Sequence, residues 1–170
     1  HRLGEPTEKL IRDKGLAPFI DAARELLATY GDRILYPEDF AIDDGGRREI
    51  TLADLPSDHL LVDIGPRTVE RYVDVIRKAA TIFVNGPAGV YEQPASAWGT
   101  ERLWNAIADA PGYSVIGGGD SVAAGARFKV LERMGYVCTS GGGMVRYLSG
   151  QGLPVVDALR RAAQRWRPAR

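Results

Sequence analysis

The chain has 170 residues, 45% hydrophobic and 26% charged, with 22 Lys+Arg balanced by 22 Asp+Glu. That size and balance suit one domain with a real core, and exclude a disordered tail, a collagen-like rod and a disulfide-dense mini-protein. Zero net charge also argues against a sequence-independent nucleic-acid partner, because such binding runs on neutralisation of phosphates by Lys and Arg.

The spacing predicts a short helix over 6–14 and a longer one over 17–30. In the second, Phe19, Ile20, Ala23, Leu26, Leu27 and Tyr30 recur at helical intervals and Gly31 supplies a stop. Residues 33–36 form a strand candidate ended by Pro37, and Asp43, Asp44, Gly45 and Gly46 make a turn with room for a short edge strand on either side. Residues 60–64 read as a strand closed by Gly65 and Pro66, with Thr68 as a cap for the helix that runs to about Lys78. A strand over 81–84 leads into Asn85-Gly86-Pro87, and Ser96 or Thr100 starts a helix carrying Leu103, Trp104, Ile107 and Ala108. A strand over 113–116 runs into the glycine triplet 117–119, after which Asp120 or Ser121 caps a helix to about Met134. A strand over 136–139 runs into the second triplet, 141–143, and a helix to about Leu148 follows. Pro154 breaks the pattern before a last helix over 155–166.

Short apolar strands alternating with helices indicate a parallel sheet covered on both faces. The expected fold is therefore α/β and doubly wound, a Rossmann-like three-layer αβα arrangement with a mostly parallel sheet. Right-handed crossovers place the strand-to-helix loops on the carboxyl edge of such a sheet, so those at Asn85, Gly117 and Gly141 should gather along one rim.

Cys138 is the only cysteine, so no internal disulfide is possible and a reducing cytoplasm is the expected setting. It follows Tyr136 and Val137 in an apolar run and reads as a buried packing residue. No apolar run approaches the ~20 residues of a membrane helix, and no membrane partner is expected. The first residue is His1, so either something was removed or the chain is a piece of a longer one. Arg160, Arg161, Arg165, Arg167 and Arg170 make the end locally basic: a solvated helix face, or a contact with another domain or a phosphate.

Glycine is the unusual count, 20 residues against an average usage of roughly 7%. A helix N-terminus offers unpaired N–H donors and a partial positive charge, and glycine ahead of it lets an anion approach the backbone. Two such helix starts on one rim form a cradle for a polyphosphate, unless the glycines serve only tight turns and close packing. Asp120, directly after the first triplet, suits either Mg²⁺ beside a phosphate or a helix cap, and it could do both. In Asn85-Gly86-Pro87-Ala88-Gly89-Val90-Tyr91-Glu92, the asparagine offers a neutral donor to phosphate oxygens. Glu92 is either an acceptor for ribose hydroxyls or a solvated loop carboxylate. There is no G-x-x-x-x-G-K-[ST], no G-x-G-x-x-G after a strand, no G-x-S-x-G elbow and no zinc-ligand spacing.

The order NGPAGVYE, VIGGGDS, TSGGG and LSGQGLP resembles the nucleotide-binding domain of phosphoglycerate kinases. Asp63-Ile64-Gly65-Pro66 is similar to that family's DIGP, and Trp98-Gly99-Thr100 to its x-G-T helix start. The resemblance runs from about Gly4 to Leu159, and NGPAG, SVIGGG and LSGQGLPVVDAL look closer to the archaeal branch than to the bacterial one. It implies a C-terminal nucleotide-binding domain over 1–159, lacking its first part, with 160–170 a basic helix end. It implies ATP or ADP and Mg²⁺ as cofactors, with 3-phosphoglycerate and 1,3-bisphosphoglycerate bound by an N-terminal domain absent from this chain. By the same resemblance Asn85 and Pro87 lie against the phosphates and Glu92 holds the ribose. Gly118, Gly119, Asp120 and Ser121 form the phosphate loop, with Asp120 toward Mg²⁺. Gly141, Gly142 and Gly143 open the helix facing the transferring phosphoryl group, so that Gly119, Gly142 and Gly143 stand nearest the chemistry. Such donors supply the electrostatic stabilisation that phosphoryl transfer mostly needs. The sequence departs from the family's usual pattern at Leu61, where Gly is common, at Val84, where Trp is common, and at Met144-Val145-Arg146-Tyr147 after the last triplet. A non-catalytic nucleotide-binding or interaction module of the same fold is the alternative, and an unrelated doubly wound protein binding another anion is a third.

Overall fold

The computed structural model describes residues 2–166. It opens with helices α1 (Glu5–Asp13) and α2 (Phe19–Tyr30). Strands β1 (Asp39–Asp43) and β2 (Arg47–Thr51) form an antiparallel hairpin on the Asp43–Gly46 turn, and β1 also pairs antiparallel with β3 (Leu61–Ile64). Helix α3 (Pro66–Lys78) leads to β4 (Thr81–Asn85), α4 (Trp98–Asp109), β5 (Tyr113–Gly117), α5 (Gly119–Arg127) and β6 (Tyr136–Cys138). Strands β4, β5 and β6 form a parallel sheet in that order, and α6 (Gly141–Leu148) and α7 (Pro154–Trp166) close the chain. The α/β class and the Rossmann-like parallel sheet are as expected.

Alternation along the strands decides where the core sits. Ile82 and Ile116 point to one face of the parallel sheet and are buried there against Val69 and Val73 of α3, Leu103, Trp104 and Ile107 of α4, and Ala124 of α5. Trp104 is 1% exposed and its indole N–H donates to the Ser121 carbonyl at 3.1 Å, so the largest core side chain leaves no unpaired donor.

Several expectations need correction. The opposite sheet face is only partly covered: Met144 of α6 reaches over Gly117 beside Phe83, while Phe83, Tyr113 and Tyr136 remain 40%, 56% and 54% exposed. The 60–64 run belongs to the antiparallel sheet with the hairpin, not to the parallel one. Residues 33–36 are not a strand, because no ladder partner lies beside them; a 3₁₀ turn covers Gly31–Arg33, and the Leu35 carbonyl accepts from the Tyr72 hydroxyl at 3.2 Å. The helix after Asp120 stops at Arg127, well before Met134. Lys129 takes φ +57° and the Val130 amide turns back to the Gly125 carbonyl, which lets Val130 and Met134 bury. Helix α2 exposes its apolar stripe and buries none of it.

The caps also differ. Thr68 lies inside α3, and the helix start is capped across the fold by buried Asp39, whose carboxylate accepts from the Arg67 and Thr68 amides at 2.9 and 2.8 Å. Neither Ser96 nor Thr100 caps α4, and neither Asp120 nor Ser121 caps α5, whose N-cap is Gly118. Cys138 is half-buried, not enclosed. Arg160, Arg161 and Arg165 are exposed on α7, Arg160 facing Asp157 at 3.6 Å, while Arg167 and Arg170 lie outside the described residues, as does His1. No helix among the described residues is long and apolar enough to cross a membrane.

Candidate functional site

The three glycine loops do meet at the carboxyl edge of the parallel sheet. β4, β5 and β6 run side by side in register, Asn85 beside Gly117 and Gly117 beside Cys138, so their ends are level. The Gly118 amide donates to the Cys138 carbonyl at 3.1 Å, which fixes the first triplet against the strand leading to the second.

Gly118 and Gly141 are required by backbone conformation or backbone contact, while Gly117 and Gly143 face side-chain atoms that can rotate. Gly118 has φ +94°, and a Cβ there would lie 2.6 Å from Asn85 Oδ1. A Cβ on Gly141 would lie 2.6 Å from the Gly118 Cα, one on Gly117 2.8 Å from Met144 Cε, and one on Gly143 2.5 Å from Ser140 Oγ. Gly119 and Gly142 are different. Neither has a positive φ, and a Cβ on either would meet nothing within 4 Å. Both lie in the first turns of helices, where backbone amides lack intrahelical acceptors.

The other expected site residues are distributed as follows. Asn85 is exposed at the end of β4 with its side-chain oxygen against Gly118 and Gly141. Pro87 is half-buried in the loop that follows. Ser121 is buried, and its hydroxyl accepts from the Gly86 amide at 2.6 Å, so it ties the β4 loop to α5. Asp120 is exposed beside it, in the first turn of α5. Glu92 is exposed, and its carbonyl accepts from Arg127 at 3.1 Å. Between them stands Tyr91, 8% exposed; burial pushes its hydroxyl above the usual phenol value, and the Glu92 and Asp120 carboxylates push it further. A cleft of about 330 Å³ runs beside the loop, walled by Phe40, Leu61, Val62, Pro87 and Val90.

No group of three or more His, Cys, Asp or Glu side chains gathers among the described residues. Asp120 offers a single exposed carboxylate in the first turn of α5, and Mg²⁺ needs only one or two beside water and phosphate oxygens.

Three residues that support the loop are not among the site residues expected from the sequence, where Asp63 and Thr100 enter only as motif and helix-start positions. Thr100 is buried, and its hydroxyl accepts from the Ala88 and Gly89 amides at 3.1 and 3.2 Å. Asp63 is buried behind the loop and Arg47 reaches it from β2. A carboxylate inside the apolar strand Leu61–Ile64 is itself a signal for Asp63; Arg47, in a polar hairpin, gives none.

The phosphoglycerate kinase family model matches residues 4–151. The chain belongs to the phosphoglycerate kinase family. It is 44% identical to the phosphoglycerate kinase of Methanopyrus kandleri over 158 residues, 92% of this chain and 39% of that protein. It is 38% identical to that of Methanothermus fervidus over 162 residues, 95% of this chain and 39% of the relative. Among solved structures, the crystal structure of phosphoglycerate kinase from Pyrococcus horikoshii OT3 superposes with a TM-score of 0.89 at 35% identity, covering 98% of this chain and 42% of that one. The phosphoglycerate kinase of Coxiella burnetii gives 0.75 at 31% identity, over 82% of this chain and 38% of that one. The archaeal resemblance read from NGPAG, SVIGGG and LSGQGLPVVDAL agrees with the curated relatives, which are archaeal. The chain thus spans about 39% of the length of the curated phosphoglycerate kinases it matches.

Proposed function

We propose that residues 1–159 are the C-terminal, nucleotide-binding part of a phosphoglycerate kinase, which passes a phosphoryl group between 1,3-bisphosphoglycerate and Mg-ADP to give 3-phosphoglycerate and ATP. The acyl-phosphate site belongs, in this reading, to the part of the relatives' length that this chain does not span. Among the described residues β4 is an open edge of the parallel sheet and one sheet face is only partly covered, which fits a domain completed by that remainder. A cytoplasmic setting goes with the reading.

One observation carries it. Gly119 and Gly142 are glycines that neither packing nor backbone conformation requires, at two helix starts on one rim. Space left open in front of unpaired amides suits an anion, and the two starts together suit a polyphosphate. In this arrangement Asn85 and Pro87 border the phosphates, Glu92 faces the ribose, and Gly118 and Ser121 hold the loop in shape. Asp120 would hold Mg²⁺, which would supply positive charge to offset that of the phosphates. Gly141, Gly142 and Gly143 aim the α6 amides at the transferring group.

Calorimetric titration with Mg-ADP tests this. The 170-residue chain and a full-length relative carrying the same rim should both bind with metal dependence, and Asp120→Ala should remove that dependence. Absence of nucleotide binding by both proteins would overturn the reading. The 170-residue chain alone is expected to turn over no substrate.

A further inference from the structure

Behind the rim a buried ion pair joins the antiparallel hairpin to the candidate nucleotide loop. The Asp63 side chain is 0% exposed. One of its oxygens accepts from Arg47 Nη1 at 2.7 Å and from the Gly99 amide at 2.8 Å. Gly99 lies in the first turn of α4, so the carboxylate satisfies one of that helix's unpaired donors and sits at its positive end. The other oxygen is pressed between two glycines: a Cβ would fall 2.5 Å from it at Gly89 and 2.4 Å from it at Gly99. Gly89 belongs to the 85–92 loop. Asp63 therefore touches both the loop and the helix that holds it.

Arg47 is equally committed. Beyond Asp63 it donates to the Ile64 carbonyl at 2.9 Å, the Ala95 carbonyl at 3.2 Å and Glu49 at 2.7 Å, and its guanidinium stacks 5.0 Å from the Trp98 ring centroid. A planar fork with several fixed donors makes this set of contacts, and a lysine ammonium cannot. From Arg47 the contacts run to Asp63, to the Gly99 amide, and through Thr100 to the Ala88 and Gly89 amides.

We propose that Arg47 is a positioning residue for nucleotide binding, setting the 85–92 loop through Asp63 and the first turn of α4. The proposal rests on the nucleotide reading of that loop. Removing Arg47 leaves a buried carboxylate without its cation, and either protonation or displacement of Asp63 alters its contacts with Gly89 and Gly99.

The test compares the 170-residue chain with Arg47→Ala, Arg47→Lys, Thr100→Val and the Arg47→Ala/Thr100→Val pair. Hydrogen exchange without nucleotide should show the Ala88 and Gly89 amides opening about tenfold faster in Arg47→Ala, the size expected for losing a hydrogen bond to a charged group, with the β5 amides unchanged. Arg47→Lys should fall between. The Mg-ADP dissociation constant should rise about tenfold in either single variant, and the pair should weaken binding no further than its worse member, because both act on one loop. Uniform acceleration across the chain, or an unchanged dissociation constant in a folded Arg47→Ala protein, overturns the proposal. If Arg47→Ala does not fold, unchanged exchange at both loop amides in Arg47→Lys overturns it. If the unsubstituted chain binds no Mg-ADP, the nucleotide reading fails for this chain, and local loop opening still decides whether Arg47 positions the loop.

Discussion

Gly141 and Gly118 stand so close that a Cβ on Gly141 would lie 2.6 Å from the Gly118 Cα and 3.0 Å from the Gly118 amide nitrogen. The obstacle is backbone, which cannot rotate away as a side chain can. Gly141→Ala should therefore cost about 1–3 kcal/mol of stability, the range for an overpacked site, measured by denaturant unfolding. An Ala variant as stable as the parent would mean that the two loops are not in contact.

Gly119→Ala and Gly142→Ala should behave in the opposite way. Each Cβ enters open space in a helical turn, where Ala is favoured over Gly by about 0.5–1 kcal/mol. Stability should hold or rise slightly, while affinity for Mg-ADP falls, read by thermal unfolding and calorimetry on the same samples. Unchanged affinity in both variants would remove these glycines from the binding rim.

Ser121→Ala should loosen the loop after β4. The lost hydroxyl is the acceptor of the Gly86 amide at 2.6 Å, and a single such bond contributes about 1 kcal/mol. The expected outcome is a stability loss of that order with faster exchange at the Gly86 amide. Retained protection there would show that another acceptor serves it.

Tyr91 predicts a pH effect. Its folded phenol titrates above the ordinary value of 10.0, through burial first and the Glu92 and Asp120 charges second. The folded state then holds this proton more tightly than the unfolded chain. Its contribution is complete below about pH 10 and disappears as pH rises through the higher folded value. Unfolding curves from pH 9 to about 12 should show a steeper decline for the parent than for Tyr91→Phe. Parallel curves would contradict the shift.

Much of the architecture was legible. The turn Asp43–Gly46 with a strand on each side, the three parallel strands and the helices after each glycine loop all appear near their expected places, because turn chemistry and apolar periodicity act within a few residues. Failures came where a distant partner decides. Residues 33–36 have strand-like composition and no strand to pair with. Thr68 has a capping side chain, yet Asp39, 29 residues earlier, takes the capping role for α3.

The site divides along the same line. The sequence by itself determined that glycine loops follow the parallel strands, that Asp120 and Glu92 accompany them, and that the order of motifs is that of phosphoglycerate kinases. Tertiary structure alone decided which glycines serve packing and which face open space, since that depends on what lies across the rim from each Cα. It alone decided that Ser121 and Thr100 spend their hydroxyls on loop amides. It also brought Arg47 to Asp63 and Asp63 to Gly99, 36 residues apart, because only strand pairing and helix docking set those side chains together. Local propensity carries no information about a contact whose partner is chosen by the packing of the whole chain.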